Sequence, residues 1–133
     1  MYKCTIVRMY TMKEMIAKHF SKSELKCPCC GLLFVDPDLL KSLDALRDKM
    51  GEPINISSGC RCEAHNKEIG GAKKSYHITG PQNPCQAVDI SVPNEDYRYR
   101  LVEYAIELDF GGIGIYMKHV HLDIRKSKTM WRG

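Results

Sequence analysis

Apolar side chains recur along this chain at two periods, and the period assigns each stretch to a helix or a strand. Leu39, Leu40, Leu43, Leu46 and Met50 fall on one stripe of a 3.6-residue repeat. Asp36 before Pro37 supplies an N-cap acid followed by proline at the first helical position, and Gly51 stops the run. That stripe reads as core. A second helix opens at Pro93-Asn94, carries Tyr97, Leu101, Ala105 and Leu108 at helical spacing, and ends at Gly111 and Gly112. Shorter helices are expected over 12–19 and over about 61–69, the latter terminated by Gly70-Gly71. Strands are expected over 54–57, around Asp89, over 113–116 and around His121, the last two joined as a hairpin by a turn near Met117-Lys118.

Within the strands the period of two separates chemistry from packing. Val120, Leu122 and Ile124 share one face, and His119, His121, Asp123 and Arg125 share the other. Around Asp89 the core face is Gln86, Val88, Ile90 and Val92, with Gln86 its one polar member, and Cys85, Ala87, Asp89 and Ser91 point the opposite way. Two strands with apolar backs and ligand-rich fronts can build one site. No internal repeat, low-complexity tract or long linker interrupts the pattern. The expectation is a single α+β domain, a small antiparallel sheet with flanking helices.

A length of 133 residues suits one domain, large enough to bury a conventional core without disulfide staples. No apolar run approaches the ~18 residues of a membrane span. The first residues, Met1-Tyr2-Lys3-Cys4-Thr5-Ile6-Val7-Arg8, show no continuous apolar stretch of a signal peptide. A chain made in the cytoplasm, without membrane partners, is expected. The net charge of +4 is modest and its basic residues are spread out, with no aromatic-interleaved basic cluster, so nucleic acid is not an expected partner. Seven cysteines form an odd set, with Cys27, Cys29 and Cys30 in one group and Cys60 and Cys62 in another. Cys27-Pro28-Cys29-Cys30-Gly31 resembles half of a zinc knuckle whose second half is missing. The cysteines are therefore expected to be reduced, half-buried thiols rather than a second zinc site.

Chemistry concentrates in Ser75-Tyr76-His77, Ala87-Val88-Asp89-Ile90 and His119-Val120-His121-Leu122-Asp123. Two histidines and a carboxylate are the mixed N and O donor set of a catalytic zinc, which leaves a fourth position for water. Together with Ser58-Gly59-Cys60-Arg61-Cys62, His65-Asn66, Gly70-Gly71-Ala72, Gly80 and His121-Leu122-Asp123-Ile124-Arg125, these segments resemble the zinc D-alanyl-D-alanine carboxypeptidase family, which includes phage L-alanyl-D-glutamate endolysins. His19-Phe20-Ser21-Lys22-Ser23-Glu24-Leu25 is similar to the start of that domain.

The resemblance runs from about Lys18 to the C-terminus, leaving 1–17 as an extension of a domain that occupies 1–133. It implies a fold of the Hedgehog/DD-peptidase type, one catalytic zinc, and peptidoglycan stem peptides or their precursors as substrate. His77, Asp89 and His121 match the family's zinc ligands. Arg61 matches an arginine that polarises the scissile carbonyl or holds a substrate carboxylate, and Ser75 matches a serine lining the cleft. A monomer is expected, reaching the cell wall after release if it serves a phage.

The chain departs from the family pattern at two places. Lys118 stands where many members carry an acidic general base. His119 is the first substitute, on the same strand face as His121 about 7 Å away, two rises of about 3.3 Å. Asp123 is the second, either as base or as the partner that fixes a ligand histidine's tautomer. His77 and Asp89 are also further apart than usual, with Pro81-Gln82-Asn83-Pro84-Cys85 as an inserted loop that would rim the cleft. Two other functions compete: a catalytically silent module of the same fold that binds wall fragments, and a cysteine-zinc protein that binds nucleic acid.

Overall fold

The computed structural model of the chain describes residues 14–133. Part of the helix expected over 12–19, and most of the extension over 1–17, lies outside them. Residues 14–19 are bends with a bridge from Met15 to Ser21, and the helix starts later, as α1 (Lys22–Leu25). Two local interactions decide this. The Glu24 carboxylate accepts from the Ser21 backbone N–H at 2.8 Å and hydroxyl at 2.9 Å, which fixes the helix start. Upstream, the backbone N–H groups of Lys18 and His19 both donate to Asp44 at 2.9 Å, pinning that bent stretch in place.

The amphipathic helix is α2 (Pro37–Met50), begun by Asp36 and ended by Gly51 in the left-handed region at φ 69°. Asp36 accepts from the Asp38 N–H at 2.9 Å and from Gln86 Nε2 at 2.9 Å, tying the helix start to the strand region. Asp36→Ala removes both, and we expect a loss of about 1–2 kcal/mol in urea unfolding, the cost of an N-cap plus a stranded amide. The remaining elements are β1 (Ile56–Ser58), α3 (Glu63–Glu68), β2 (Ala87–Ser91), α4 (Glu95–Glu107), β3 (Gly112–Ile115), β4 (His119–Asp123) and β5 (Thr129–Arg132). Asn94 caps α4 by accepting from the Tyr97 N–H. That helix ends at Glu107, before the expected glycines, with Asp109 taking φ 69°. Gly112 instead begins β3, where a Cβ would collide with the Asp123 carboxylate.

The strands form one five-stranded sheet in the order β1-β2-β4-β3-β5. All pairings are antiparallel except β3 with β5, so the sheet is mixed rather than purely antiparallel. The extra strand escaped the sequence reading because Thr129-Met130-Trp131-Arg132 has a single half-buried member and no apolar alternation. One sheet face packs Val88, Ile90, Val120 and Leu122, all fully buried, with Leu39, Leu43 and Leu46 of α2 and Leu101 and Ala105 of α4 in the same core. Each such valine, leucine or isoleucine contributes roughly 1.5–3 kcal/mol on burial.

The register sets the other face. Ser58 pairs with Asp89, Asp89 with His121, His121 with Gly114, and Gly114 with Trp131. A single row therefore crosses all five strands, and its members face the same way.

Candidate metal centre

Two of the three predicted donors, Asp89 and His121, are directly opposed on β2 and β4. The third arrives from the loop before β2, where Arg61 N–H donates to the His77 carbonyl and Thr79 N–H to the Arg61 carbonyl, both at 2.8 Å. His77 Nε2, Asp89 Oδ1 and His121 Nδ1 form a triangle with every edge 3.2 Å. Tetrahedral coordination with bonds of about 2.0–2.1 Å separates its ligand atoms by about 3.3 Å, so the donor set fits a zinc-sized ion. All three residues are buried.

Each histidine is fixed by its other nitrogen. His77 Nδ1 lies 2.7 Å from the Gly59 carbonyl, which accepts a hydrogen bond from Nδ1–H and so leaves Nε2 free to ligate. His121 Nε2 lies 2.7 Å from Asp123 Oδ2, which likewise leaves Nδ1 free. Asp123 is fully buried and also accepts from the Arg125 backbone N–H, Nε and Nη2. Both Asp123 oxygens are thus engaged, by His121 and by Arg125.

Electrostatics draw a cation to the triangle. Burial opposes ionisation of Asp89, but hydrogen bonds from His121 and His77 hold its carboxyl well below the usual carboxylate range. Burial pushes the His121 imidazole down, and Asp123 and Asp89 more than offset this, so its pKa is raised. The proton that His121 gains on folding stabilises the protein fully below the ordinary histidine value. That contribution is lost as pH rises through the raised folded value. A metal ion competes with the same proton. Zinc retained at limiting supply is therefore expected to fall on acidification, beginning above the ordinary histidine value of about 6.5. Equilibrium dialysis with elemental analysis checks this, and occupancy unchanged down to the carboxylate range would exclude the imidazoles as ligands.

The other predicted residues stand around the triangle. Arg61 donates from Nη2 to Asp89 Oδ2 at 3.3 Å, from Nη1 to Asn66 Oδ1 at 3.2 Å and from Nε to Ser58 Oγ at 3.1 Å. His119 is half-buried, stacked on Tyr116 at 4.5 Å, with Nε2 3.9 Å from Asp89 Oδ2. The Ser75 hydroxyl accepts from the His77 N–H at 3.1 Å, so it positions a donor as well as lining the neighbouring cleft. That cleft opens beside the triangle rather than over it, between Lys73, Lys74 and Tyr76 and the loop carrying Pro81, Gln82, Asn83 and Pro84.

Three contributors carry roles that the sequence did not assign, although Gly59 and Asn66 lie in the segments that resemble the family. Gly59 acts through a backbone carbonyl, which no side-chain pattern reveals. Asn66 is buried and bridges Arg61 to the Ala72 carbonyl. A Cβ on Gly71 would strike its side chain, so the Gly70-Gly71-Ala72 turn closes directly onto Asn66. Trp131 sits 5.2 Å from the His121 ring and donates to the Tyr116 hydroxyl at 2.9 Å. It reaches the site across Gly114, where a Cβ would meet the indole at 2.6 Å. The lone tryptophan of the chain was the available signal.

A buried His-Asp-His donor set on the polar face of a small α+β sheet, with a positioned arginine against its carboxylate, defines a metallopeptidase-type centre. The family model described as Peptidase M15 matches residues 12–123, and the chain belongs to that family. It is a peptidase. No curated protein matches it. The matched span contains all of the triangle and its arginines' carboxylate partners and ends before β5, so Trp131 lies outside it.

Proposed function

We propose that this protein is a zinc peptidase that hydrolyses peptidoglycan stem peptides, of the D-Ala-D-Ala carboxypeptidase or L-Ala-D-Glu endopeptidase type. The observation that carries the reading is the 3.2 Å triangle of His77, Asp89 and His121, each donor oriented from behind. Zinc held there supplies Lewis acidity and a nucleophile near neutral pH.

The chain's own groups do the rest. His119 Nε2 takes the proton of the attacking water and returns it to the departing amine, the role an imidazole near neutrality suits. Arg61 uses three of its five N–H donors on Ser58, Asn66 and Asp89. Two remain for the substrate, to hold either a carboxylate or the oxygen on which negative charge develops. Asp123 keeps the His121 tautomer. Lys73 and Lys74 on the adjoining cleft suit the acidic groups of stem peptides.

The test is incubation of the zinc-loaded protein with muropeptides of several wall chemotypes, read by mass spectrometry. Release of a terminal D-Ala or a cut after L-Ala, both stopped by chelator, is the expected result. His119→Ala should lower kcat by about 10²–10⁴-fold with zinc retained. Lys118, exposed in the turn between β3 and β4 where many relatives carry an acid, favours the second reading of a silent binding module. Binding of the same fragments without any mass change would establish that reading and overturn the first.

A further inference from the structure

The described cysteines are all free, and four of them converge. Cys27, Cys60 and Cys85 are buried, but Cys29 and Cys30 are exposed. The missing second half of the knuckle is a single residue, Cys62, 33 positions beyond Cys29. We propose that Cys27, Cys29, Cys30 and Cys62 bind a second, structural zinc ion as a closed four-thiolate site.

Their four sulfur atoms all lie within 4.8 Å of one another, with Cys29 and Cys62 at 3.9 Å. Tetrahedral ligation with Zn–S bonds of about 2.3 Å needs sulfurs about 3.8 Å apart, which the Cys29–Cys62 edge nearly meets and which asks a contraction of no more than about 1 Å at any other edge. A disulfide would need about 2.05 Å and would serve only two of the four. Three ligands come from one turn, closed by the Gly31 N–H to the Cys27 carbonyl at 2.8 Å and by Gly31 at φ 77°. The fourth caps α3.

The backbone is already arranged around sulfur. The Cys62 N–H donates to Cys27 Sγ at 3.4 Å and the His65 N–H donates to Cys62 Sγ at 3.3 Å. Binding releases one proton per thiol, four in all, and leaves a doubly negative zinc-thiolate unit whose charge these N–H groups offset.

The site is closed, with four protein ligands and no place for water, so it is structural rather than hydrolytic. It would tie the turn at 27–31 to the segment holding Gly59 and Arg61, the two residues that orient His77 and contact Asp89. The thiolate site itself does not depend on the peptidase reading.

Elemental analysis of the full chain, purified under reducing conditions, separates the two centres. Two zinc ions per chain are expected in the wild type and one in His121→Ala. Adding Cys29→Ser and Cys62→Ser to His121→Ala should remove the last, with serine still able to cap α3. Should that variant fail to fold, the His121→Ala protein reloaded with cobalt must show an intense thiolate-to-cobalt charge-transfer band, and its Cys29 and Cys30 must resist alkylation until chelator is added. The proposal is overturned by zinc unaffected by the cysteine substitutions, by no thiolate band, by alkylation indifferent to chelator, or by a wild type with one zinc that His121→Ala removes. That last result would leave the peptidase reading standing, whereas a single zinc lost only with the cysteines would do the reverse.

Discussion

His121→Ala is expected to abolish peptidase activity, lowering kcat/KM by about 10³-fold or more, because the Lewis acid it helps to hold contributes several kcal/mol to the transition state. His121 is the middle of the row across the sheet, and its Nδ1 is 3.2 Å from both other donors. Alanine leaves two ligands, too few to retain a catalytic ion. The fold should survive, since Asp123 keeps its pairing with Arg125 at 2.7 Å and Val120 and Leu122 still fill the core. Parallel measurement of kcat/KM on a cleaved muropeptide, zinc per chain and circular dichroism checks all three points. Activity within tenfold of wild type would remove His121 from the centre.

Asp123→Asn should cost 10–100-fold in zinc affinity, the usual effect of losing the partner behind a ligand histidine. It should also destabilise the protein at neutral pH by about 2–4 kcal/mol, because Arg125 loses the carboxylate that it grips from Nε and Nη2. Burial resists ionisation of Asp123, but His121 and Arg125 hold its carboxyl well below the usual range. A depressed carboxyl contributes stability above its unfolded value and loses it as pH falls through the folded one. The deficit of the variant is therefore largest near neutrality and shrinks in strong acid, which urea unfolding at several pH values would show. Saturating zinc gives a sharper test of role. If Asp123 orients His121, kcat recovers when the site is filled; if it were the general base, kcat would stay 10²–10⁴-fold low.

The sequence by itself determined what is set within a few residues. Asp36-Pro37 and Gly51 bound α2 because capping and left-handed termination are local. The parity of β2 and β4 placed Val88, Ile90, Val120 and Leu122 on the core face and Asp89, His121 and Asp123 on the other, because successive side chains alternate whatever the strand pairs with. Tertiary structure decided everything that depends on register and on chain closure over long separations. It put Ser58, Asp89, His121, Gly114 and Trp131 in one row, and added a parallel β5 that carries no alternation of its own. Where a helix was expected over 12–19, it made residues 16–19 bends anchored to Asp44, a partner 25 residues beyond His19. It enclosed Asp123 between His121 and Arg125, which no spacing could distinguish from a base exposed to substrate. It also carried Cys62 to three cysteines far before it in the chain. Spacing reports neighbours along a strand or helix, whereas a site assembled across loops exists only once the core has fixed how those loops close.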